Sequence, residues 1–332
     1  MPKKIICLMI IFILIISASA CGFLRREPPL EESPEPDENS EETLAHLRKT
    51  VLYFINENDL LVPVTKDIPW VEGIAKATLD ILVDREETRL ELAEKDLRPS
   101  LPEGTEVIGM TIRDGVAKVD FNSNLLNTSD KKSEQNAINS IVYTLTEFPT
   151  IDRVQILVDG KRLNETTHGI KLEETLSRQY INLETSIESE DFIPVTLYFK
   201  GLSSDGNFNY FVPVTRMVPK SENNIKTTLQ ELVKGPLDNS GLVSVLPKDT
   251  KVLDVIQKDN EVVVNFSKEI EGYGGGIDAE QSIVNSVVLT VSEFPGVETV
   301  SLQIEGDAGA LPEGTVLDTP IFKPLYVNPD GI

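Results

Sequence analysis

The stretch EQNAINSIVYTLTEFPTIDRVQILVDG at residues 134–160 returns at 280–306 as EQSIVNSVVLTVSEFPGVETVSLQIEG, with 11 of 27 positions identical and no gap. Ile138, Ile141, Val142, Leu145 and Phe148 share one side of a 3.6-residue period, so residues 134–148 read as a helix with one buried face. Pro149 and Pro295 mark its exit, and the apolar runs Val154–Val158 and Val300–Ile304 read as the strand that follows. The repeated helix is expected to open with Asp278 and Gln281 as a capping box.

The duplication extends outward from this block. Leu52-Tyr53-Phe54 recurs as Leu197-Tyr198-Phe199, and Val62-Pro63-Val64-Thr65 recurs as Val212-Pro213-Val214-Thr215. Leu101-Pro102 and Thr105 match Leu246-Pro247 and Thr250, and Tyr180-Ile181-Asn182 matches Tyr326-Val327-Asn328. A period of this size marks two tandem domains, not a solenoid. Each copy starts with two strands, Val51–Ile55 and Leu60–Thr65 in the first, Val195–Phe199 and Tyr210–Thr215 in the second. A helix follows, at Trp70–Val83 and at Glu222–Val233, where Ile225, Leu229, Leu232 and Val233 form a core stripe and Gly235-Pro236 stops it. Next comes a hairpin, Val107–Ile112 and Val116–Phe121 around Asp114-Gly115, with its counterpart turning at Asp259-Asn260. The predicted fold class is α+β: two tandem copies of a β-β-α-β-β-α-β unit, each with two helices packed on one face of a mixed sheet. The domains are placed at 48–183 and 194–332, joined by a short acidic linker at 184–193.

Composition narrows the function. The 332 residues carry 31 Lys plus Arg against 54 Asp plus Glu, a net charge of −23, which argues against nucleic acid as a partner. Two cysteines and two histidines disfavour a disulfide framework, a zinc cluster and His-dependent catalysis. At the N-terminus, Lys3 and Lys4 precede an apolar run from Ile5 to Ile16, then small residues and Cys21. This is the build of a secretory signal over residues 1–20, too short in its apolar core to span a membrane. Ala18-Ser19-Ala20-Cys21 resembles a bacterial lipobox, with Ala18 in place of the usual leucine, so Cys21 is the expected lipid attachment site and the new N-terminus. Loss of residues 1–20 leaves 29 basic and 54 acidic residues, a net charge of −25. Two acyl chains on Cys21 suffice for stable anchoring. Residues 21–47 read as a tether: between Glu27 and Glu42 lie eight acids, four prolines and no base. Such a segment stays extended and spans up to about 75 Å.

No residue is assigned a catalytic, cofactor-binding or metal-binding role. His46 and His168 have no counterparts in the other copy and read as solvated side chains. Acidic pairs are abundant, but none occupies a repeated position in an apolar setting that would split two pKa values into acid and base roles. Leu101–Thr105, similar to Leu311–Thr315, reads as a type II turn with proline second and glycine fourth. Gln135, Asn139 and Ser140 recur as Gln281, Asn285 and Ser286, either as a partner-binding face or, more simply, as bonds from the helix edge to the sheet or loops. Gly272-Tyr273-Gly274-Gly275-Gly276 belongs to the second copy alone and reads as a plain flexible loop.

The lipobox, the acidic tether and two domains each ending in Glu-Phe-Pro, a strand and a late Tyr-(Ile/Val)-Asn resemble the GerM-like sporulation and spore germination lipoproteins, whose repeated unit is the GerMN domain. The resemblance covers about Val51 to Asn328. It implies a non-enzymatic protein on the extracytoplasmic side of the cell membrane, held there by Cys21. It also implies protein partners in a channel complex between mother cell and forespore, with ring-like self-association as a further possibility. The alternatives are a cell-wall (peptidoglycan) binding or remodelling factor and a solute-binding lipoprotein.

Overall fold

The computed structural model describes residues 47–185, 189–206 and 208–330. Cys21, the signal segment, nearly all of the tether and His46 lie outside them. The first repeat runs β1 (Leu47–Asn56), β2 (Leu61–Pro69), α1 (Ile74–Ile81), α2 (Glu86–Ala93), β3 (Leu97–Arg98), β4 (Val107–Arg113), β5 (Val116–Phe121), α3 (Lys131–Leu145), β6 (Arg153–Val158) and β7 (Lys161–Arg162). The second runs β8 (Phe192–Leu202), β9 (Asn209–Pro219), α4 (Asn224–Lys234), β10 (Val252–Lys258), β11 (Glu261–Phe266), α5 (Gly276–Val291), β12 (Thr299–Ile304) and β13 (Ile321–Phe322). The α+β class and the twofold repetition are both present.

Within each repeat the strands are divided between two hydrogen-bonded sheets, where the sequence reading placed one. A long antiparallel hairpin stands alone as β8-β9, or carries the short β3 as β2-β1-β3. A mixed sheet follows, ordered β4-β5-β6-β7 and β10-β11-β12-β13. Its central pair is parallel, Val116↔Arg153 to Phe121↔Val158 and Glu261↔Thr299 to Phe266↔Ile304. Helices α3 and α5 provide the crossovers that parallel pairing requires. The Asp114-Gly115 turn has φ of 50° and 74°, the paired positive values of a type I′ hairpin.

Burial follows the expected patterns. Ala117, Val119 and Phe121 alternate inward along β5, as do Val262, Val264 and Phe266 along β11. Ile141 and Leu145 of α3, and Val287 and Val291 of α5, are fully buried. Phe54 and Phe199, from the repeated Leu-Tyr-Phe, and Phe121 and Phe266 are the largest fully buried side chains.

Four local readings change. The first helix starts at Ile74, not Trp70, because Pro69 ends β2 and Gly73 sits at φ 78° as the N-cap, leaving Trp70 57% exposed. Helix α5 starts at Gly276, after Gly275 at φ 108°, so Asp278 lies inside the first turn and the capping box does not form. The element α2 was not anticipated: Glu86–Ala93 buries Leu92 alone and has no apolar stripe to read. The Leu101–Thr105 turn is shifted by one, since Thr105 N–H bonds Pro102 C=O and Gly104 (φ 75°) is its third residue; at 311–315 Gly314 N–H bonds Leu311 C=O, but the third residue, Glu313, has no positive φ, so this turn is not type II. Phe54→Ala should lower stability by about 3–5 kcal/mol, read as a lower urea midpoint at unchanged m-value.

Candidate functional site at the junction of the repeats

The repeated polar residues converge where the two repeats meet. On β1, the Tyr53 N–H donates to Thr144 Oγ1 (3.2 Å) and its C=O accepts from Ser140 Oγ (2.8 Å). On β8, Tyr198 N–H donates to Thr290 Oγ1 (3.1 Å) and its C=O accepts from Ser286 Oγ (2.6 Å). Hydroxyls one helical turn apart therefore satisfy the outer edge of each first strand, as a paired strand would. This is the helix-to-sheet role for Ser140 and Ser286. Asn139 differs, donating to Tyr180 C=O (3.0 Å) in the chain tail.

The same tyrosines reach the repeated Glu-Phe-Pro. Tyr53 Oη donates to Glu147 (2.9 Å) and Tyr198 Oη to Glu293 (3.1 Å). Each carboxylate also takes a cation from the following tail, Arg178 for Glu147 and Lys323 (2.7 Å) for Glu293. Tyr143 packs against Tyr53 with ring centroids 5.2 Å apart and planes tilted by 58°. Burial, followed by the nearby glutamate, pushes the Tyr53 and Tyr198 phenols well above the ordinary tyrosine value.

The tails are exchanged between the repeats. The end of the first repeat binds β9 of the second: Thr215 N–H donates to Ile181 C=O (2.9 Å), Ile181 N–H to Thr215 Oγ1 (3.0 Å) and Glu184 N–H to Thr215 C=O (3.0 Å). The end of the second repeat binds β2 of the first: Thr65 N–H donates to Asn328 C=O (3.0 Å), Thr65 Oγ1 to Val327 C=O (2.7 Å) and Asp330 N–H to Thr65 C=O (2.7 Å). The two asparagines bridge both hairpins. Asn182 holds Leu61 N–H and C=O and also Pro213 C=O, each at 2.8 Å. Asn328 holds Phe211 N–H (2.7 Å) and C=O (2.8 Å) and also Pro63 C=O (2.7 Å).

Residue chemistry explains the motif. Pro63 and Pro213 lack an N–H, so each strand offers only a carbonyl at that point, and an amide side chain supplies the donor. Both asparagines sit at φ 50° and 51°, a left-handed conformation that asparagine tolerates better than most residues. Charges complete the exchange: buried Arg216 on β9 pairs with Glu184 (2.6 Å), and Lys66 on β2 with Asp330 (3.0 Å). Burial raises the Asp330 pKa, but Lys95 and Lys66 outweigh it and hold the carboxyl below its usual value.

The sequence reading missed a second repeated element. Glu134 and Glu280 are buried at matching positions. Glu134 accepts from Thr166 Oγ1 and His168 N–H (3.0 Å), and Glu280 from Tyr273 Oη, Glu313 N–H (2.7 Å) and Thr315 N–H (2.8 Å). Each pins the loop that follows the last long strand of its mixed sheet. Burial pushes Glu280 up, and these hydrogen bonds overcome it and hold its pKa low. Both glutamates open the repeated block, which was the available signal. His168 is half-buried, with Nε2 3.0 Å from Thr128 C=O, a structural residue in place of the expected solvated one. Tyr273 of the glycine loop is likewise tied to Glu280, so that loop is anchored through its tyrosine.

A two-repeat α+β body locked by reciprocal tails defines a tandem-domain protein in its architecture. The family model named Germane, described as sporulation and spore germination, matches residues 51–164 and again 196–310. The chain belongs to that family. It is 34% identical over 288 residues to the spore germination protein GerM of Bacillus subtilis (strain 168), covering 83% of this chain and 77% of that one. The solved tandem GerMN domains of the sporulation protein GerM from Bacillus subtilis align at TM-score 0.75 and 31% identity, over 85% of this chain and 99% of that one.

Two outcomes follow from the junction. Asn328→Ala removes three hydrogen bonds and leaves buried backbone groups unpaired, so it should cost about 2–4 kcal/mol by urea unfolding, with Asn182→Ala similar. Stability should also fall at both pH extremes. The lowered Asp330 and Glu280 carboxyls contribute fully above the ordinary carboxylate range of about 4, and that contribution is lost as pH falls through their lowered values. The raised Tyr53 and Tyr198 phenols contribute fully below about pH 10 and that is lost above it, so part of the tyrosinate absorbance at 295 nm should appear only on unfolding.

Proposed function

We propose that this sporulation and germination family protein is a non-enzymatic scaffold, lipid-anchored through Cys21 on the extracytoplasmic side of the cell membrane. There it stabilises a membrane-spanning channel complex between mother cell and forespore. The observation that carries the reading is the structural use of carboxylates, two of them, Glu134 and Glu280, buried. Glu134, Glu280, Glu147, Glu293 and Glu184 bind backbone N–H groups, phenols or cations that hold the architecture together. The repeated chemistry is thus directed at holding each repeat to its own loops and tail, with Glu184 reaching across to Arg216, which suits a rigid docking body. The likeness to GerM supplies the sporulation setting. Among the described residues no helix is long and apolar enough to cross a membrane, and attachment through Cys21 supplies the membrane contact in this reading.

The test is capture of the anchored protein from crosslinked sporulating membranes. The native chain should sediment with membranes and co-purify with components of the channel, and Cys21→Ala should move it to the soluble fraction. Native protein that is soluble, or that captures no channel component, refutes the reading.

A further inference from the structure

The second repeat keeps polar side chains that are hydrogen-bonded in the first repeat but not, among the described residues, in the second. In the first repeat Gln135 donates to Asn139 Oδ1 (2.9 Å) and Asn139 donates to Tyr180 C=O. At the matching positions Gln281 and Asn285 make no side-chain hydrogen bond among the described residues. Lys200, in the place of Ile55, has Ser282 Oγ (3.2 Å) as its side-chain partner and no carboxylate within ion-pair distance among the described residues. These groups line a cavity of about 540 Å³, together with Phe208, Phe211 and Asp278. Glu94 and Lys95 of the first repeat and the tail residues Asn328 and Pro329 also line it, so it exists only in the docked molecule. Beyond Lys200 and Ser282 a second cavity of about 320 Å³ continues along Gly272–Gly274.

The lining selects a ligand class. Glu94 and Asp278 stand near Lys200 and Lys95, so a ligand of either charge meets its like as well as its opposite. A neutral molecule rich in hydroxyls uses every group: carboxylates accept from hydroxyls and the ammonium donates to them. A primary amide offers one acceptor and two donors on one plane, the complement of an acetamido group's N–H and C=O. Phe208 and Phe211 give apolar faces against which a sugar ring and an acetyl methyl can pack. The volume falls in the range of small-ligand sites, about 300–1,000 Å³.

We propose that this cleft binds one or two units of an N-acetylated glycan, with Gln281 and Asn285 holding the acetamido group and Lys200 a hydroxyl. The site goes beyond the scaffold reading, and either can fail without the other. The test is a titration of the ¹⁵N-labelled chain with triacetylchitotriose, with maltotriose as the acetamido-free sugar and acetyl-trialanine amide as a neutral peptide. Chitotriose should give saturable shifts at residues 200, 281–285 and 328. The double variant Gln281→Ala with Asn285→Ala should raise its Kd about tenfold or more, while the melting temperature, which reports the fold separately, stays close to that of the parent chain. Lys200→Met should weaken binding by a smaller factor. Absence of saturable shifts at millimolar chitotriose, an equal response to maltotriose, preference for the peptide, or binding indifferent to these substitutions overturns the proposal.

Discussion

Everything in the arrangement of the repeats depends on two proline carbonyls and the asparagine amides that answer them. Pro63 and Pro213 stand where β2 and β9 face each other, and a proline cannot donate across that gap. Asn182 and Asn328 enter as substitutes for a strand's own donors and acceptors, each touching both hairpins. A linker of a few residues would leave two such domains free to move. Here the tails, the asparagines and the ion pairs of Glu184 and Asp330 determine a single relative placement. The symmetry is close, because Glu184 and Asp330 occupy matching tail positions, as Arg216 and Lys66 do on the two strands.

Departures from that symmetry are where the molecule becomes specific. The first repeat inserts α2 and β3, which cover the end of β1, and its tail occupies the polar strip of α3. The second repeat lacks α2, keeps only an isolated bridge between Lys200 and Val243 in the place of β3, and opens a cleft along α5. Helix α3 has Asp130 as its N-cap, accepting from Ser133 N–H, whereas α5 has Gly275. One copy is closed by its own residues and the other presents equivalent groups outward.

Much of this was legible in the sequence, for identifiable reasons. The period of 3.6 in α3, α4 and α5 and the Asp114-Gly115 turn are local signals, and the structure has them close to where they were read. The division into two sheets was not legible, since hydropathy tells which face of a strand is buried but not which neighbour it bonds. Helix α2 was invisible because a single buried leucine makes no stripe. The repeat of Tyr-(Ile/Val)-Asn was visible as a pattern, but its meaning needed the partner strand, about 30 residues away for Asn182 and more than 260 for the Asn328 contact with Pro63. Glu134 and Glu280 were likewise in view, and only burial separates them from the many solvated acids.

The exchanged tails also set an order of completion for the chain. Thr65 and Lys66, near the beginning, receive their partners from residues 327–330, at the far end. The first repeat therefore cannot finish its own edge when its own residues have emerged, although domains in tandem ordinarily fold one after the other. Both repeats close together, and only once residues 327–330 are in place. Loss of residues 327–330 is felt some 260 positions upstream, at the hairpin of β1 and β2.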